Sequence, residues 1–262
     1  MTDLTSIEGL MQAAAEVARK SGDVALGFFR DGIAVDTKSD GTPVTVADRT
    51  AEQTAREWLE ARFPEDGILG EEFGETRAGA ERRWILDPID GTKTFIRGVP
   101  LWGTLVALAK GERILVGAAY FPAVGELLVA APGEGCFWNG SHTQVSRQTD
   151  LSRAVVLCTD ERFLTYPERG EAWRRLAREA AVSRTWGDCY GYLMVATGRA
   201  DVMVDELLSP WDAAALQPII EEAGGVFSDW TGRRTSFGGS GIATNGLLSQ
   251  AVRERLGATG NP

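Results

Sequence analysis

Residues 84–92 constrain the fold of this 262-residue chain more than any other segment. The first three are apolar and are typical of the end of a buried strand. Pro88 predicts that the strand stops there, because proline fixes its own backbone and lacks the N–H that a sheet ladder needs. The turn that follows can direct Asp87, the Ile89 carbonyl and Asp90 at one volume. These are hard oxygen ligands of the kind that Mg²⁺ prefers.

The two residues that close this segment favour a phosphate beside the metal. Gly91 lets the backbone come close to a bound anion, and Thr92 offers a hydroxyl and an N–H at the start of a helical turn. On its own, an Asp-x-x-Asp-Gly pattern is also typical of an ordinary turn in which an aspartate caps a short helix. A metal site therefore requires further carboxylates.

Three further acidic segments can supply them. Asp48 opens a predicted helix, Glu71 follows a short apolar strand, and Asp212 begins an apolar helix. Each has an ordinary explanation, as a first-turn acid favoured by the helix dipole, a solvated surface acid and an N-cap respectively. All of them nevertheless lie at the end of a strand or the start of a helix, where sites are usually built. Together they favour a site in which several carboxylates bind more than one metal ion.

Composition excludes other classes of function. The chain is 44% hydrophobic and carries a net charge of −10, and it has no cluster of Lys and Arg interleaved with aromatic residues. Nucleic acid is therefore not expected as a partner. The first thirty residues form an amphipathic pattern and no apolar stretch approaches the length of a membrane span, which predicts a cytoplasmic protein without a membrane partner.

Histidine and cysteine narrow the chemistry further. The single histidine, His142, lies in a turn-like surface segment, which argues against a Ser-His-Asp triad, a phosphohistidine intermediate and a His-rich zinc site. Cys136, Cys158 and Cys189 are too scattered for a zinc knuckle or a disulfide framework, and we expect buried thiols. A strong metal site must then consist of carboxylates.

The order of predicted elements indicates two halves. Helices at about residues 4–30 and 47–62, with extended segments near 35 and 42–45, precede an antiparallel meander of strands at 84–86, 105–109, 114–120 and 126–130. After about residue 146, strands at 154–158, 181–184, 201–204 and 225–228 alternate with helices at 168–179, 190–197 and 211–223. We therefore expect a layered α+β and α/β chain, with residues 1–145 and 146–262 as two halves and a cleft between them.

At this point the motifs resemble a known family. Gly70-Glu71-Glu72, residues 87–92, Trp211-Asp212 and residues 222–225, in this order, resemble the inositol monophosphatase superfamily of Mg²⁺-dependent, lithium-sensitive phosphatases. The match runs from about residue 11 to residue 256. The resemblance implies an αβαβα sandwich, a homodimer and a small phosphorylated substrate.

The resemblance also implies a ligand set for two Mg²⁺ ions. Glu71, Asp87 and the Ile89 carbonyl would hold the first ion, and Asp87, Asp90 and Asp212 the second. A weaker third ion would lie beside Glu71. Two cations that bridge a phosphate stabilise both the attacking and the leaving oxygen of an in-line displacement.

Catalytic roles follow from the same resemblance. Water beside Glu71 and Thr92 would be the nucleophile, with Thr92 and Asp48 accepting or relaying its proton. The N–H groups of Gly91 and Thr92 would bind the phosphate. No covalent phosphoenzyme is expected.

Three segments narrow the resemblance to a subgroup. Residues 94–104, 185–192 and 210–215 resemble the histidinol-phosphate phosphatases of this superfamily, which act late in histidine biosynthesis. Ser209 stands where animal inositol monophosphatases have a histidine, and Asp188 replaces a small neutral residue. Inositol phosphate is therefore the less expected main substrate.

Charge supports the subgroup. Histidinol phosphate carries an ammonium group and an imidazole, so its pocket needs anions beyond the metal site. Asp188 and Asp205 match positions that face the substrate in the superfamily, and two acids there suit a cationic amino alcohol. The alternatives are that Asp188 caps a helix and that Asp205 ends a strand in solvent. Arg97 and Glu206 are weaker candidates for substrate binding.

Two other functions stay open. The first is an inositol monophosphatase or a broad sugar and polyol phosphatase of the same superfamily, which would share the whole catalytic apparatus. The second is a non-catalytic phosphate-binding protein on the same scaffold. Loss of Asp90, Asp212 or Thr92 would be expected of the second, and all three are present.

Overall fold

The computed structural model describes residues 5–31, 34–37, 41 and 43–258. The helices of the described residues are α1 (Ile7–Phe28), α2 (Val46–Arg62), α3 (Thr92–Phe95), α4 (Pro167–Glu179), α5 (Asp188–Ala196), α6 (Pro210–Ala213), α7 (Leu216–Glu222) and α8 (Ser249–Leu256). The strands are β1 (Val35–Thr37), β2 (Pro43–Thr45), β3 (Gly67–Gly70), β4 (Gly74–Thr76), β5 (Arg83–Asp90), β6 (Gly103–Lys110), β7 (Arg113–Phe121), β8 (Glu126–Ala131), β9 (Gly135–Trp138), β10 (Ser141–His142), β11 (Val155–Cys158), β12 (Val182–Arg184), β13 (Val202–Asp205), β14 (Val226–Ser228) and β15 (Gly241–Thr244).

Two large sheets organise the chain. The first has eight strands in the order β10-β9-β8-β7-β6-β5-β3-β4, and all its pairs are antiparallel except β3 with β5. The second has five strands in the order β12-β11-β13-β15-β14, with β11 parallel to both of its neighbours. The predicted antiparallel meander is therefore confirmed. The predicted division after residue 145 falls between the two sheets and, as a statement about domains, stays a prediction.

Helices cover both sheets in layers. The apolar faces of α1 and α2 pack on one face of the eight-stranded sheet, with Val17, Leu59 and Trp84 fully buried between them. Helices α5 and α7 lie between the two sheets. Helices α4 and α8 cover the outer face of the five-stranded sheet through Trp173 and Val252. This is the expected αβαβα sandwich.

Local signals explain where the predicted helices begin. Ser6 caps α1 by accepting from the N–H of Gly9, and Thr45 caps α2 in a reciprocal capping box with Asp48. The helices predicted at 4–30 and 47–62 are confirmed within a few residues, although residues 4 and 42 of the predicted segments lie outside the described part. All three cysteines are free and buried, as predicted.

Two predictions about local structure are wrong. The strand does not end before Pro88, since β5 continues to Asp90 with a register shift against β6 between Asp87 and Asp90. Proline is tolerated there because a bulge leaves a residue without a ladder partner. The single helix predicted over 211–223 is divided into α6 and α7, and Pro218 in the first turn of α7 lacks the N–H that would continue one helix.

Several elements were not predicted. Strand β15 lies inside the second sheet, between β13 and β14, although its four residues follow a stretch rich in Gly and Ser. Strands β9 and β10 form a hairpin whose turn contains Asn139 and Gly140, both with positive φ. His142 follows that turn and is exposed, so its surface location is confirmed. In the described part, no helix has both the length and the apolar character needed to span a bilayer.

The close approach of α7 to the sheet generates a stability prediction. A Cβ at Gly117 of β7 would lie 2.4 Å from the backbone oxygen of Ala215, so Gly117→Ala forces the backbone apart. We expect a loss of about 1–3 kcal/mol in the free energy of unfolding, measured by urea titration. Gly27→Ala is the matched control, because nothing lies within 4 Å of its Cβ position in the exposed end of α1. Equal stability of the two variants would contradict the packing described for Gly117.

Candidate metal and phosphate site

Three carboxylates converge at the seam between the two sheets. Oxygen atoms of Asp87, Asp90 and Asp212 all lie within 4.8 Å of one another. The first two come from β5 and the third from α6, which packs against β5 and β6. Residues three apart on a regular strand face opposite sides of the sheet, so the extra residue of the β5 bulge is what allows Asp87 and Asp90 to share a site.

Backbone N–H groups orient each carboxylate. Asp87 accepts from the N–H of Ile89 at 3.0 Å, and Asp90 accepts from the N–H of Cys189 at 2.5 Å. Asp212 accepts from the N–H of Ser209 at 2.7 Å. Ser209, and not Asp212, is the N-cap of α6, and Asp212 is the reciprocal partner of its capping box. Asp212 therefore takes part in capping α6, as the ordinary explanation expects, although it is not the N-cap residue. The same side chain also faces the cluster.

Burial and mutual repulsion destabilise the ionised cluster. Burial, followed by the charges of Glu71, Asp90 and Asp212, raises the pKa of Asp87 well above its ordinary value. Burial, followed by the charges of Asp188 and Asp212, does the same for the pKa of Asp90. Burial also raises the pKa of Asp212 to about 7. A cation at this point would relieve the repulsion, and an oxygen-only donor set fits a hard divalent ion.

Glu71 lies on the edge of the same cluster. It follows β3 directly, and its N–H donates to the carbonyl of Leu86 at 3.2 Å, which places it beside β5. Its charge is the largest neighbouring contribution to the raised pKa of Asp87. With Thr92 and Asp212 it lines a cavity of about 610 Å³. Five residues are predicted to bind metal, four through side chains and one through its backbone carbonyl. The structure brings the four with side-chain ligands, Glu71, Asp87, Asp90 and Asp212, to one place.

The fifth is the carbonyl of Ile89. It accepts a hydrogen bond from the Thr92 hydroxyl at 3.0 Å, and a carbonyl oxygen has a second lone pair for another partner. Thr92 begins α3, and Gly91 before it has φ +90°, a conformation that glycine adopts without strain. The first N–H groups of a helix have no partner within the helix, so this turn presents donors to an anion.

Asp48 lies next to Thr92, as the sequence predicts. One of its carboxylate oxygens is 3.4 Å from the Thr92 hydroxyl oxygen. The other accepts from both the N–H and the hydroxyl of Thr45, at 2.8 and 2.6 Å. Asp48 is thus both a helix-capping residue and a neighbour of the phosphate turn.

The acids predicted to bind substrate face a second, smaller cavity. Asp188 and Asp205 line a volume of about 300 Å³ together with Asp90 and Asp212. Asp205 ends β13 but is only 6% exposed, so it does not end its strand in solvent. It accepts from the hydroxyl of Tyr192 at 2.9 Å and from the N–H of Thr159 at 3.3 Å.

Asp188 connects this cavity to the phosphate turn. It is the first residue of α5, with φ +51°, and its carboxylate accepts from the hydroxyl of Thr94 at 3.3 Å. A Cβ at Gly91 would lie 3.1 Å from the same carboxylate oxygen. Asp188 therefore packs between the two cavities, and the N-cap of its helix is Gly187.

The remaining two candidates differ in position. Arg97 is exposed and lines the cavity that contains Thr92. Glu206 lines the smaller cavity with Asp188 and Asp205. Its carboxylate accepts from the backbone N–H groups of Thr165 and Tyr166. Lys93, which the sequence reasoning missed, lines both cavities. Lys93 directly follows the Asp-Gly-Thr motif in the sequence, and that position could have indicated that it lies near the phosphate turn.

Comparison with known proteins identifies the family. A model of the inositol monophosphatase family matches residues 6–259 of the chain. The chain belongs to the inositol monophosphatase family. Members of this family are metal-dependent phosphatases, and the cluster of Asp87, Asp90 and Asp212 supplies acidic groups that suit a metal.

Individual relatives agree with the family. The chain is 45% identical to a histidinol-phosphatase of Chlorobaculum parvum over 253 residues, which covers 96% of each protein. It is 38% identical to a histidinol-phosphatase of Mycobacterium tuberculosis over 97% of this chain and 99% of the relative. An inositol monophosphatase from Zymomonas mobilis has the same fold, with a TM-score of 0.86, 34% identity and coverage of 97% and 99% of the two chains. The predicted fold and the predicted resemblance to the histidinol-phosphatase subgroup are both confirmed.

Buried Asp205 generates a prediction about pH and stability. Burial raises its pKa to about 7 from an ordinary value near 3.8, so the folded protein holds a proton that the unfolded chain releases. The stability of the wild type should therefore fall as the pH rises from about 4 to about 7. Asp205→Asn removes this pH-dependent contribution to stability. In metal-free protein, the free energy of unfolding of the variant minus that of the wild type should therefore increase from about pH 4 to about pH 7.

The measurement is urea unfolding at several pH values in the presence of a chelator. Asp150→Asn is the control, because Asp150 is exposed and a hydrogen bond from Ser152 lowers its pKa. That variant should gain no relative stability over the interval. A relative stability of Asp205→Asn that is independent of pH would contradict the raised pKa.

Proposed function

We propose that this protein is a Mg²⁺-dependent phosphomonoesterase that hydrolyses L-histidinol phosphate to L-histidinol and phosphate. The observation that carries the proposal is the convergence of Asp87, Asp90 and Asp212 beside the Gly91–Thr92 turn. The similarity to proteins named histidinol-phosphatase over nearly the whole chain supports the substrate.

The residues around the cluster would hold two Mg²⁺ ions and, more weakly, a third. Glu71, Asp87 and the Ile89 carbonyl would hold the first, and Asp87, Asp90 and Asp212 the second. A third would lie beside Glu71 with water ligands. When bound, Mg²⁺ neutralises phosphate charge and lowers the pKa of water.

The chain itself holds the phosphate and removes the proton. The N–H groups of Gly91 and Thr92 donate to phosphate oxygens. The Thr92 hydroxyl can turn from the Ile89 carbonyl toward Asp48, 3.4 Å away, and its oxygen then accepts the proton of the attacking water. Asp48 holds a proton at the end of this relay. Because the reaction proceeds by direct attack of water, no covalent phosphoenzyme forms.

Electrostatics in the smaller cavity support a cationic substrate. Asp188 and Asp205 lie there beside the proposed metal ligands Asp90 and Asp212. Burial raises the pKa of both Asp188 and Asp205, which disfavours their ionised forms. An ammonium group of an amino alcohol would favour the ionised forms by pairing with them, whereas a neutral polyol would leave them without a counter-charge. Inositol phosphate is the second candidate, because the structure superposes on an inositol monophosphatase at 34% identity.

Assembly and location form part of the proposal. We propose that residues 1–145 and 146–262 are two domains that share the active site, the first with Asp48 and Asp87 and the second with Asp212. The family resemblance supports a homodimer in the cytoplasm. Sedimentation analysis of the purified protein tests the dimer.

Removal of one metal-binding carboxylate should abolish most of the activity. We expect Asp87→Asn and Asp212→Asn each to lower kcat by roughly a thousandfold or more, because charge stabilisation of this kind usually supplies several kcal/mol to the transition state. Phosphate release from histidinol phosphate is the assay, and calorimetric titration with MgCl₂ reports loss of metal binding. Asp150→Asn should keep full activity, because Asp150 is exposed and lines a different cavity, which contains none of the cluster residues. Near-normal rates in either cluster variant would refute the ligand assignment.

A panel of substrates tests the proposed reaction. L-histidinol phosphate, inositol 1-phosphate, a nucleoside 3′,5′-bisphosphate and fructose 1,6-bisphosphate are assayed side by side with MgCl₂ and with a chelator. We expect histidinol phosphate to have the highest kcat/KM and to require Mg²⁺. Asp188→Asn removes an acid from the cavity, so it should lower the ratio of kcat/KM for histidinol phosphate to kcat/KM for inositol phosphate. A clear preference for inositol phosphate would replace the proposed substrate and leave the metal site in place.

A further inference from the structure

The loop between β11 and α4 forms one wall of the smaller cavity. Residues 159, 160 and 162–165 line it, and Thr159, Asp160 and Arg162 also line the cavity with the phosphate turn. Phe163 anchors the loop from behind, being 1% exposed and packed against Trp230 with ring centroids 6.1 Å apart. The loop is therefore a fixed wall of the substrate pocket.

A second anchor is the carboxylate of Glu206. It accepts from the N–H of Thr165 at 3.3 Å and from the N–H of Tyr166 at 2.9 Å. Arg169 donates to the Glu206 carbonyl at 2.8 Å and lies over the Tyr166 ring at 3.8 Å. Two backbone donors thus occupy both oxygens of Glu206, which joins the end of β13 to the loop.

Each side of this anchor carries an exposed leucine. Leu164 precedes the two N–H groups that Glu206 accepts from, and Leu207 follows Glu206 directly. They are 69% and 53% exposed, and both line the cavity that contains Asp188 and Asp205. A single exposed leucine is ordinary. Two exposed leucines on the wall of a cavity that is otherwise rich in acids provide an apolar surface for the apolar part of a ligand.

We propose that Leu164 and Leu207 are specificity-determining residues that bind the flat ring of the substrate, and that Glu206 is a positioning residue that holds them. This inference rests on the proposed function and deepens it. The phosphate lies at the Gly91–Thr92 turn, the ammonium group pairs with the acids of the smaller cavity, and the ring faces contact the leucine methyl groups. Glu206 lines the same cavity, but both of its carboxylate oxygens accept from the loop, so it acts by holding the loop in place.

The test compares a ring-bearing substrate with one that lacks the ring. L-histidinol phosphate and ethanolamine phosphate both carry a phosphate and an ammonium group, but only the first has an imidazole. We expect Leu164→Ala and Leu207→Ala each to lower kcat/KM for histidinol phosphate by about tenfold, as for lost methylene contacts in a pocket. The value for ethanolamine phosphate should stay unchanged. Leu247→Ala is the control, because Leu247 is 60% exposed and lines a different cavity.

Glu206 is tested by the division of its effect between KM and kcat. Glu206→Ala should raise the KM for histidinol phosphate and leave kcat and inhibition by inorganic phosphate unchanged, because the phosphate turn does not contact it. Glu206→Gln keeps one acceptor oxygen for the loop, so its KM should lie between that of Glu206→Ala and that of the wild type. Thermal unfolding of each variant separates this effect from a general loss of fold.

Two results would overturn the inference. One is an equal loss on both substrates in the leucine variants, and the other is no loss on either. Failure of the proposed function is seen separately, as a wild-type enzyme that prefers another substrate. In that case, inhibition of the preferred reaction by L-histidinol tests the ring site: weaker inhibition in Leu164→Ala and Leu207→Ala supports it, and unchanged inhibition refutes it.

Discussion

The bulge in β5 is the constraint on which the rest of the site depends. A regular strand would place Asp87 and Asp90 on opposite faces of the sheet, one of them against α1 and α2 and the other toward the second sheet. One extra residue between them turns both carboxylates toward α6. The same irregularity leads the chain into Gly91 with positive φ, and so into the turn that presents N–H donors.

Repulsion within the cluster is balanced by elements from the second half of the chain. Burial alone would favour the neutral acids, yet the N–H of Cys189 approaches Asp90 and the N–H of Ser209 approaches Asp212. Both donors stand at the start of helices, where backbone dipoles favour a negative charge. The two short helices α5 and α6 therefore do more for the electrostatics of the site than their length suggests.

Much of this arrangement could be predicted from the sequence, because it depends on residue types in order along the chain. Asp87, Asp90 and Asp212 carry a recognisable chemistry, and the layers follow from hydrophobic periodicity. The bulge could not be predicted, since Pro88 is a signal for the end of a strand and nothing local says that pairing resumes at Asp90. Strand β15 was missed because four residues without alternation give no period to detect.

Other features escape prediction for a different physical reason. The contact of Cys189 with Asp90 uses a backbone N–H, which every residue except proline has, so no side chain marks it. Glu206 has the residue type expected of a ligand for a cation, but its oxygens are committed to Thr165 and Tyr166. Only three-dimensional contacts distinguish these roles.

The cluster of Asp87, Asp90 and Asp212 joins a strand of the eight-stranded sheet to a short helix from the second half of the chain. A cation held by all three carboxylates acts as a non-covalent cross-link between segments far apart in the chain. Thermodynamic linkage then couples occupancy to folding, because an ion that binds only the native state shifts the equilibrium toward it. For the proposed enzyme, the Mg²⁺ concentration in the cell would affect the stability of the folded state as well as the rate of the reaction.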